Sequence, residues 1–297
     1  MLVRTLIAVI LLFAAAPYAA AEWRADYPVI RVGIVAGTDP TYSRNAAEPF
    51  RVYLERTLAV RVELYATADY SALISGQLTG RFDLTFLTAT GFVTASAACG
   101  CVEPLAVPTD LDGGNGFYAI LLAAPGGQIN GPEDLPGRSL AVSLADSLAG
   151  RIFPLALFSA AGIDVAAINL VSTNSPEAAT ASLIAGAAEA SLAWSSLAGD
   201  RIEGFSRGVL SQMVERGLVT MDLVEIVWSS PLIPYGPVTA LRELPEDMKA
   251  EIRAAMIDLA RVDPVAHSVV NGTLGGGFIA AEIEMFEPLM VLTAPAN

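Results

Sequence analysis

A single histidine, His267, and two cysteines, Cys99 and Cys101, are all that this chain of 297 residues offers to soft metals and to nucleophilic relays. A zinc centre would need more ligands than that. No Ser/His/Asp or Cys/His constellation, H-E-x-x-H, G-x-S-x-G or P-loop sequence is present. The expectation is a protein without metal or other cofactor, and not an enzyme. Positive charge is scarce as well: Lys+Arg number 17 against 31 Asp+Glu, a net charge of −14. Nucleic acid and anionic membrane surfaces are poor partners for such a chain. A small anion is not excluded, because a local ring of backbone N–H donors outweighs distant carboxylates. Only 16% of residues are charged and 54% are hydrophobic, which excludes intrinsic disorder.

Long apolar runs are also missing beyond the N-terminus. Ile152–Ile163 comes nearest, but Pro154, Ser159 and Gly162 interrupt it, and a span needs about 18 residues. The N-terminus itself has Arg4, an apolar run from Leu6 to Ala16, and the small-residue site Ala19-x-Ala21. It reads as a cleavable leader over residues 1–21, cut after Ala21, which exports the mature chain. No cysteine lies near the cut, so neither a lipid anchor nor stable membrane insertion is expected. An exported chain permits a disulfide across the tight Cys99-Gly100-Cys101 ring, with two free thiols as the alternative.

What remains alternates short β-rich runs with helical patterns, an α/β signature. Strands are expected at Val29–Val35, Val60–Tyr65, Asp83–Leu87 and Phe117–Ala124, then at Ser139–Leu144, Ile168–Ser172, Ala190–Ser195 and Val224–Trp228. Helices are expected at Tyr42–Leu58, Tyr70–Thr79, Thr90–Ala98, Ser147–Ala161, Pro176–Ala185, Ser206–Arg216 and Pro245–Ala260. Gly275–Gly277 reads as a loop. One motif occurs twice: Leu78, Gly80 and Asp83 are matched 106 positions later by Ile184, Gly186 and Glu189, each set closing a helix and opening a strand. The repeat implies two similar lobes: lobe one over 22–115, lobe two over 116–235, and a return to lobe one over 236–297. The chain crosses between them near Gly113–Phe117 and Pro231–Gly236. In such an arrangement the ligand lies between the lobes, outside the carboxyl ends of the strands.

Several stretches carry a likeness to one family. They are Arg31–Ala95, VEPLA (102–106), GFYAILL (116–122), LPGRSLAVS (135–143), AAGID (160–164), GAAEA (186–190), VEIVWSSPLIPYGPV (224–238) and LPEDMKAEIRAAM (244–256). In their order the chain resembles the phosphate/phosphite/phosphonate-binding (PhnD-like) periplasmic proteins of ABC transporters, over nearly all of the mature sequence. The resemblance implies a type II periplasmic-binding-protein fold, two α/β lobes joined by two crossover strands. It implies hinge closure on a small, phosphonate-like oxyanion and delivery to a permease and its ATPase, with the protein acting as a monomer. Ligand sensing through a separate histidine kinase or receptor is the alternative.

The resemblance also nominates a site. The family's Ser-Thr-Ser-Gly turn is matched by Ser147-Leu148-Ala149-Gly150, where Ser147 keeps one hydroxyl and serves as either helix cap or ligand. Its Ser-His-Asp/Glu is matched by Ser175-Pro176-Glu177, without the imidazole; Glu177 is either a first-turn acid or an amine ligand. Its Gly-Pro-x-Ser-Tyr is matched by Thr88-Ala89-Thr90-Gly91-Phe92, with the phenol lost. Trp194, followed by Ser195, stands where a strand-end Asp is common, and is either core or cleft wall. Asp39, Tyr42, Tyr118 and Tyr235 complete the candidates. The exchange of hydroxyls and imidazole for Leu148, Ala149, Pro176, Phe92 and Trp194 favours a ligand with less charge, or more apolar surface, than a simple phosphonate.

Overall fold

The computed structural model describes residues 23–36, 39–272 and 274–293, so the leader and its cut lie outside it. A helical turn, α1 (Trp23–Asp26), leads into β1 (Val29–Val35), α2 (Pro40–Ala46), α3 (Glu48–Leu58), β2 (Arg61–Thr67), α4 (Tyr70–Leu78), β3 (Leu84–Phe86), α5 (Ala89–Cys99) and β4 (Val102–Asp110). Next come β5 (Gly116–Ala123), β6 (Ser139–Val142), α6 (Phe153–Ala160), β7 (Asn169–Ser172), α7 (Pro176–Ile184), β8 (Ala190–Ser195), α8 (Val209–Glu215), β9 (Glu225–Ser229) and β10 (Ile233–Pro234). The chain ends with β11 (Val238–Leu241), α9 (Glu246–Val262), α10 (Pro264–Val270), β12 (Gly275–Ala280) and a 3-10 segment, Ile283–Thr293.

These strands form two sheets. The first runs β12-β4-β11-β3-β1-β2, and the second β10-β5-β8-β6-β7 with β9 also on β5. In the first, β2, β1 and β3 are parallel and β11 turns antiparallel. In the second, β7, β6 and β8 are parallel and β5 turns antiparallel. Each lobe is thus built on parallel βαβ units whose strands are buried between layers. Ile30 and Val32 of β1 are fully buried, and β5 feeds two cores by its pleat: Leu121 and Ala123 face Phe158 and Leu192, while Ile120 and Leu122 face Val209 and Leu210.

The repeated motif does the same job twice. Gly80 and Gly186 close α4 and α7 at φ of 69° and 71°, a left-handed turn with open space around it. Asp83 then takes hydrogen bonds from the Arg31 backbone N–H (2.7 Å) and guanidinium. Glu189 takes them from the Ser139 backbone N–H (3.0 Å) and the Arg138 guanidinium. Each acid ties the start of its own strand to the central strand of its sheet.

Three expectations are corrected. The helix expected over 42–58 breaks at Ala47, because Pro49 has no N–H to give the Asn45 carbonyl. Gly275–Gly277 lies in β12 rather than a loop: a Cβ on Gly276 would sit 2.1 Å from the Asp110 carbonyl oxygen, so only glycine lets that edge strand approach. The helix expected over 147–161 opens as a π turn, Leu148–Ile152, before α6. The cysteine alternatives close on the disulfide, since Cys99 and Cys101 are bonded to each other. No helix among the described residues is long and apolar enough to cross a membrane.

Two short connections join the sheets, β4 to β5 and β10 to β11. They touch: the Tyr235 N–H donates to the Asn115 carbonyl at 2.9 Å, and a Cβ on Gly116 would sit 2.3 Å from the Ile233 carbonyl oxygen. The C-terminal 3-10 segment packs on α5 of the first lobe and on α6 of the second.

Candidate functional site

Beside these crossovers, at the strand ends of the second lobe, lies a cavity of about 300 Å³. The β pleat decides what faces it. Phe117 on β5 and Trp194 on β8 share one face and meet edge to face, with ring centroids 5.6 Å apart. Their neighbours turn the other way. Tyr118 packs against the Ile120–Leu122 core, and Ser195 is fully buried with its Oγ accepting from the Leu197 N–H. At the first crossover the cavity takes Phe117 in place of the expected Tyr118, a shift of one residue that period-2 geometry turns into opposite faces.

One wall is the turn that starts at Ser147. Pro154 cannot donate to the Gly150 carbonyl, so that carbonyl accepts instead from Ser143 N–H at 3.0 Å, which fastens the turn to the end of β6. The turn widens to π geometry, with Ile152 N–H reaching the Ser147 carbonyl at 3.0 Å. The Ser147 Oγ accepts from Gly150 N–H at 3.2 Å and so caps the turn, while its own O–H remains a donor. Ser147, Leu148 and Ala149 all line the cavity, as do Trp194 and Tyr235.

Arg207 supplies the charge in this wall, and nothing in the helical pattern of residues 206–216 marked it. It is placed by a tightly wound loop between β8 and α8. The Ser196 N–H reaches the Arg207 carbonyl (2.8 Å), the Arg207 N–H reaches the Ser196 Oγ (3.2 Å), and Gly208 bridges back to Ser195. A Cβ on Gly208 would sit 2.6 Å from the Trp194 carbonyl oxygen, so glycine is required next to the arginine. Asp110, the last residue of β4 and 2% exposed, sits behind the guanidinium at 3.7 Å, a charge contact too long for a hydrogen bond. The Asp110 Oδ1 accepts from Gly114 N–H (2.8 Å) and Asp112 N–H (3.1 Å), and its Oδ2 from the Tyr235 hydroxyl (3.3 Å). Burial pushes the Tyr235 phenol above the ordinary tyrosine range, Arg207 pulls it down and Asp110 pushes it up; the net rise keeps it a neutral donor. Asp110 on one crossover, Tyr235 beside the other and Arg207 in lobe two thus meet at one point.

The remaining candidates lie elsewhere. Thr88 caps α5 through Gly91 N–H (2.9 Å) and contacts Thr90 Oγ1 (3.1 Å); it abuts Gly236, whose Cβ would sit 3.0 Å from the Thr88 Cα, and so borders the second crossover. Phe92 is 1% exposed and stacks on Phe286 at 4.6 Å, which makes it core of lobe one and not an aromatic face for a ligand. Asp39 caps α2 through Thr41 and Tyr42 N–H. Tyr42 is 72% exposed and borders a separate apolar pocket of about 350 Å³ with Tyr70 and Phe86. Pro176 reaches the cavity, but the Ser175 Oγ is spent capping α7 through Ala178 N–H (3.1 Å), and Glu177 is outside the lining. His267 faces Asn271 and Phe278 in lobe one. A larger groove of about 620 Å³ runs along the outer edge of β2, away from the crossovers; Arg44, Arg51, Arg61 and Arg81 line it, and Arg51 and Arg61 are paired to Glu48, Glu55 and Glu63.

The sequence model of a family described as ABC transporter, phosphonate, periplasmic substrate-binding protein matches residues 32–286. Among solved structures, a binding-protein component of an ABC phosphonate transporter from Pseudomonas aeruginosa aligns at 17% identity and TM-score 0.50, covering 90% of this chain and 85% of that one. PhnD1 from Prochlorococcus marinus, solved with methylphosphonate, aligns at 17% identity and TM-score 0.51, covering 89% and 97%. A Xanthomonas citri protein solved bound to ATP aligns at 16% identity and TM-score 0.61, covering 90% and 98%. At these identities the structural likeness is one of fold, the two-lobed periplasmic-binding architecture.

Proposed function

The chain belongs to the family of periplasmic substrate-binding proteins of phosphonate ABC transporters, and on that premise we propose that it binds a small oxyanion between its lobes in the periplasm and hands it to a membrane permease and ATPase. The observation that carries this reading is the cavity beside the crossovers, where the Ser147 turn, Arg207 and the rings of Phe117, Trp194 and Tyr235 converge. Backbone N–H groups at the start of a helical turn lack partners within it and favour negative charge. Two short crossovers, in contact through Gly116 and Ile233, make a narrow hinge about which one sheet closes on the other. The domain limits at 116 and 235 follow from the same proposal, since the hinge is where the two sheets exchange the chain.

The test is a thermal-shift screen of the mature protein against phosphate, phosphite, methylphosphonate, small sulfonates and small carboxylates. A true ligand at 100 times its Kd adds about 2.7 kcal/mol of stability, a shift of several degrees. Leu148→Trp, which fills the cavity, should erase the shift. No shift from any of these anions, or a shift that survives Leu148→Trp, sinks the assignment.

A further inference from the structure

Arg207 is the one charged side chain in the cavity wall. Its side chain is 28% exposed, too enclosed to be washed by solvent on all sides, and among the described residues its guanidinium makes no hydrogen bond. Five N–H donors are therefore held at a cavity without a protein acceptor. Solvent reaches a guanidinium at that exposure, so its donors stay open to an anion that enters the cavity. The loop that carries it is costly to form: Leu197 (φ 52°) and Phe205 (φ 72°) are two of the three non-glycine residues with positive φ among those described. Strain of that kind persists where a side chain must be held in a set position.

The charge behind Arg207 limits what it can take. Asp110 is almost fully buried, 3.7 Å away, and already holds Gly114 N–H, Asp112 N–H and the Tyr235 hydroxyl. Its charge is little screened at that depth and offsets much of the arginine's field beyond the guanidinium. The cavity wall has no second cation among the described residues, and the two turn positions after Ser147 are Leu148 and Ala149, whose side chains donate nothing. A second ligand charge would meet no counter-charge and fewer donors. Phe117, Trp194, Leu148 and Pro176 fill the rest of the wall with apolar surface.

Resting on the binding role proposed above, we infer that Arg207 reads the charge of the ligand and that Asp110 restricts that charge to one. The preferred ligand is a monoanionic organic oxyanion, a sulfonate or a carboxylate, with an apolar body. Its head group takes the guanidinium fork and the amides of the Ser147 turn, and its body lies against Phe117 and Trp194.

Calorimetry with three probes of one body shape tests this: benzenesulfonate, benzoate and phenylphosphonate, at about pH 8.5, where the phosphonate carries two charges. The expected result is that at least one monoanion binds about tenfold or more tighter than the dianion, and the tighter of the two names the head group. Equal or tighter binding of phenylphosphonate overturns the inference, as does failure of all three probes at millimolar concentration. Arg207→Gln should weaken the monoanion by about tenfold to a hundredfold, the loss of charge-assisted bonds. Arg207→Lys should restore only part of it, since a point charge lacks the planar fork. Asp110→Asn keeps an oxygen for Gly114 and Asp112 and should bring the dianion level with the monoanion; an unchanged ratio overturns the role of Asp110. Affinity unmoved by Arg207→Gln but lost in Leu148→Trp overturns the charge reading and leaves the cavity standing. Affinity that survives Leu148→Trp overturns the cavity itself.

Discussion

The two lobes share one scaffold and spend it differently. Thr67 at the end of β2 shares its hydroxyl proton between the Ile34 and Asp69 carbonyls, and Thr173 just after β7 shares its own between the Val142 and Ser175 carbonyls. Asp69 and Ser175 then cap the following helices, α4 and α7. With the glycine and acid pairs, the correspondence holds at a constant spacing of 106 residues. At the strand ends the likeness stops. Lobe one packs Phe92 on Phe286 and has, at the ends of β1 and β3, an apolar pocket with no charged residue among those described, whereas the cavity of lobe two sets Arg207 beside Phe117 and Trp194. Polar atoms that only close turns are placed alike in both halves. Arg207 has no such counterpart, and its charge contact is with Asp110 at 3.7 Å.

The acid pair gives the comparison its hardest test. Asp83 is 1% exposed and Glu189 is largely in water, although both hold a central-strand N–H and an arginine. Asp83→Ala orphans the Arg31 backbone N–H inside the sheet. Because Arg31's side chain is 39% exposed and recovers solvent, the expected cost is about 2–3 kcal/mol, below that of breaking a fully buried pair. Glu189→Ala should lower the urea midpoint visibly less, since water reaches Arg138 and Ser139 at once. Equal losses in urea unfolding would show that burial does not separate the two ties.

A smaller effect separates capping from binding. Ser147 and Ser175 both cap helical starts in lobe two, but only Ser147 lines the cavity. Each change to Ala should cost about 1 kcal/mol of stability. Only Ser147→Ala should also weaken the ligand found in the thermal-shift screen, because its free O–H donor faces the cavity. If the two variants lose affinity alike, the Ser147 hydroxyl is a cap and nothing more.

How far the sequence reached follows from which physics each element uses. Short apolar runs located β1 and β8 to the residue, and a proline in the first turn helped place α7 within one. β4 escaped it because Pro104 and Pro108 read as breakers; both sit in the strand, where register irregularities against β11 and β12 make room. The 275–277 glycines looked like a loop for want of side chains, and their approach to Asp110 is a tertiary fact that no local pattern carries. In the site, the Ser147 turn and Trp194 came from the resemblance to the family's motifs. Phe117 rather than Tyr118 needed the register of β5 on β8, and Arg207 needed the path of a loop whose turns carry no period. A lone arginine just before a glycine and a helix was the signal available.

The smallest difference between the lobes is one of pH. The Ser139 backbone N–H, with Arg138 and the Ser139 hydroxyl adding to it, holds the Glu189 carboxyl below the usual carboxylate range. A carboxylate whose folded pKa lies below its unfolded value contributes stability that is present above the unfolded pKa, and that is lost as pH falls through the folded one. The tie at β6 and β8 is therefore intact at neutral pH and weakens on acidification past the ordinary glutamate range. Glu189→Gln removes the titration while keeping an oxygen for Ser139. The variant should be slightly less stable than the parent at pH 7, and the gap should narrow at about pH 3.5, below the ordinary glutamate value. Urea midpoints at the two pH values read this directly, and a gap that widens on acidification would mean that Glu189 is better held as an acid than as a carboxylate, contrary to the geometry at Ser139.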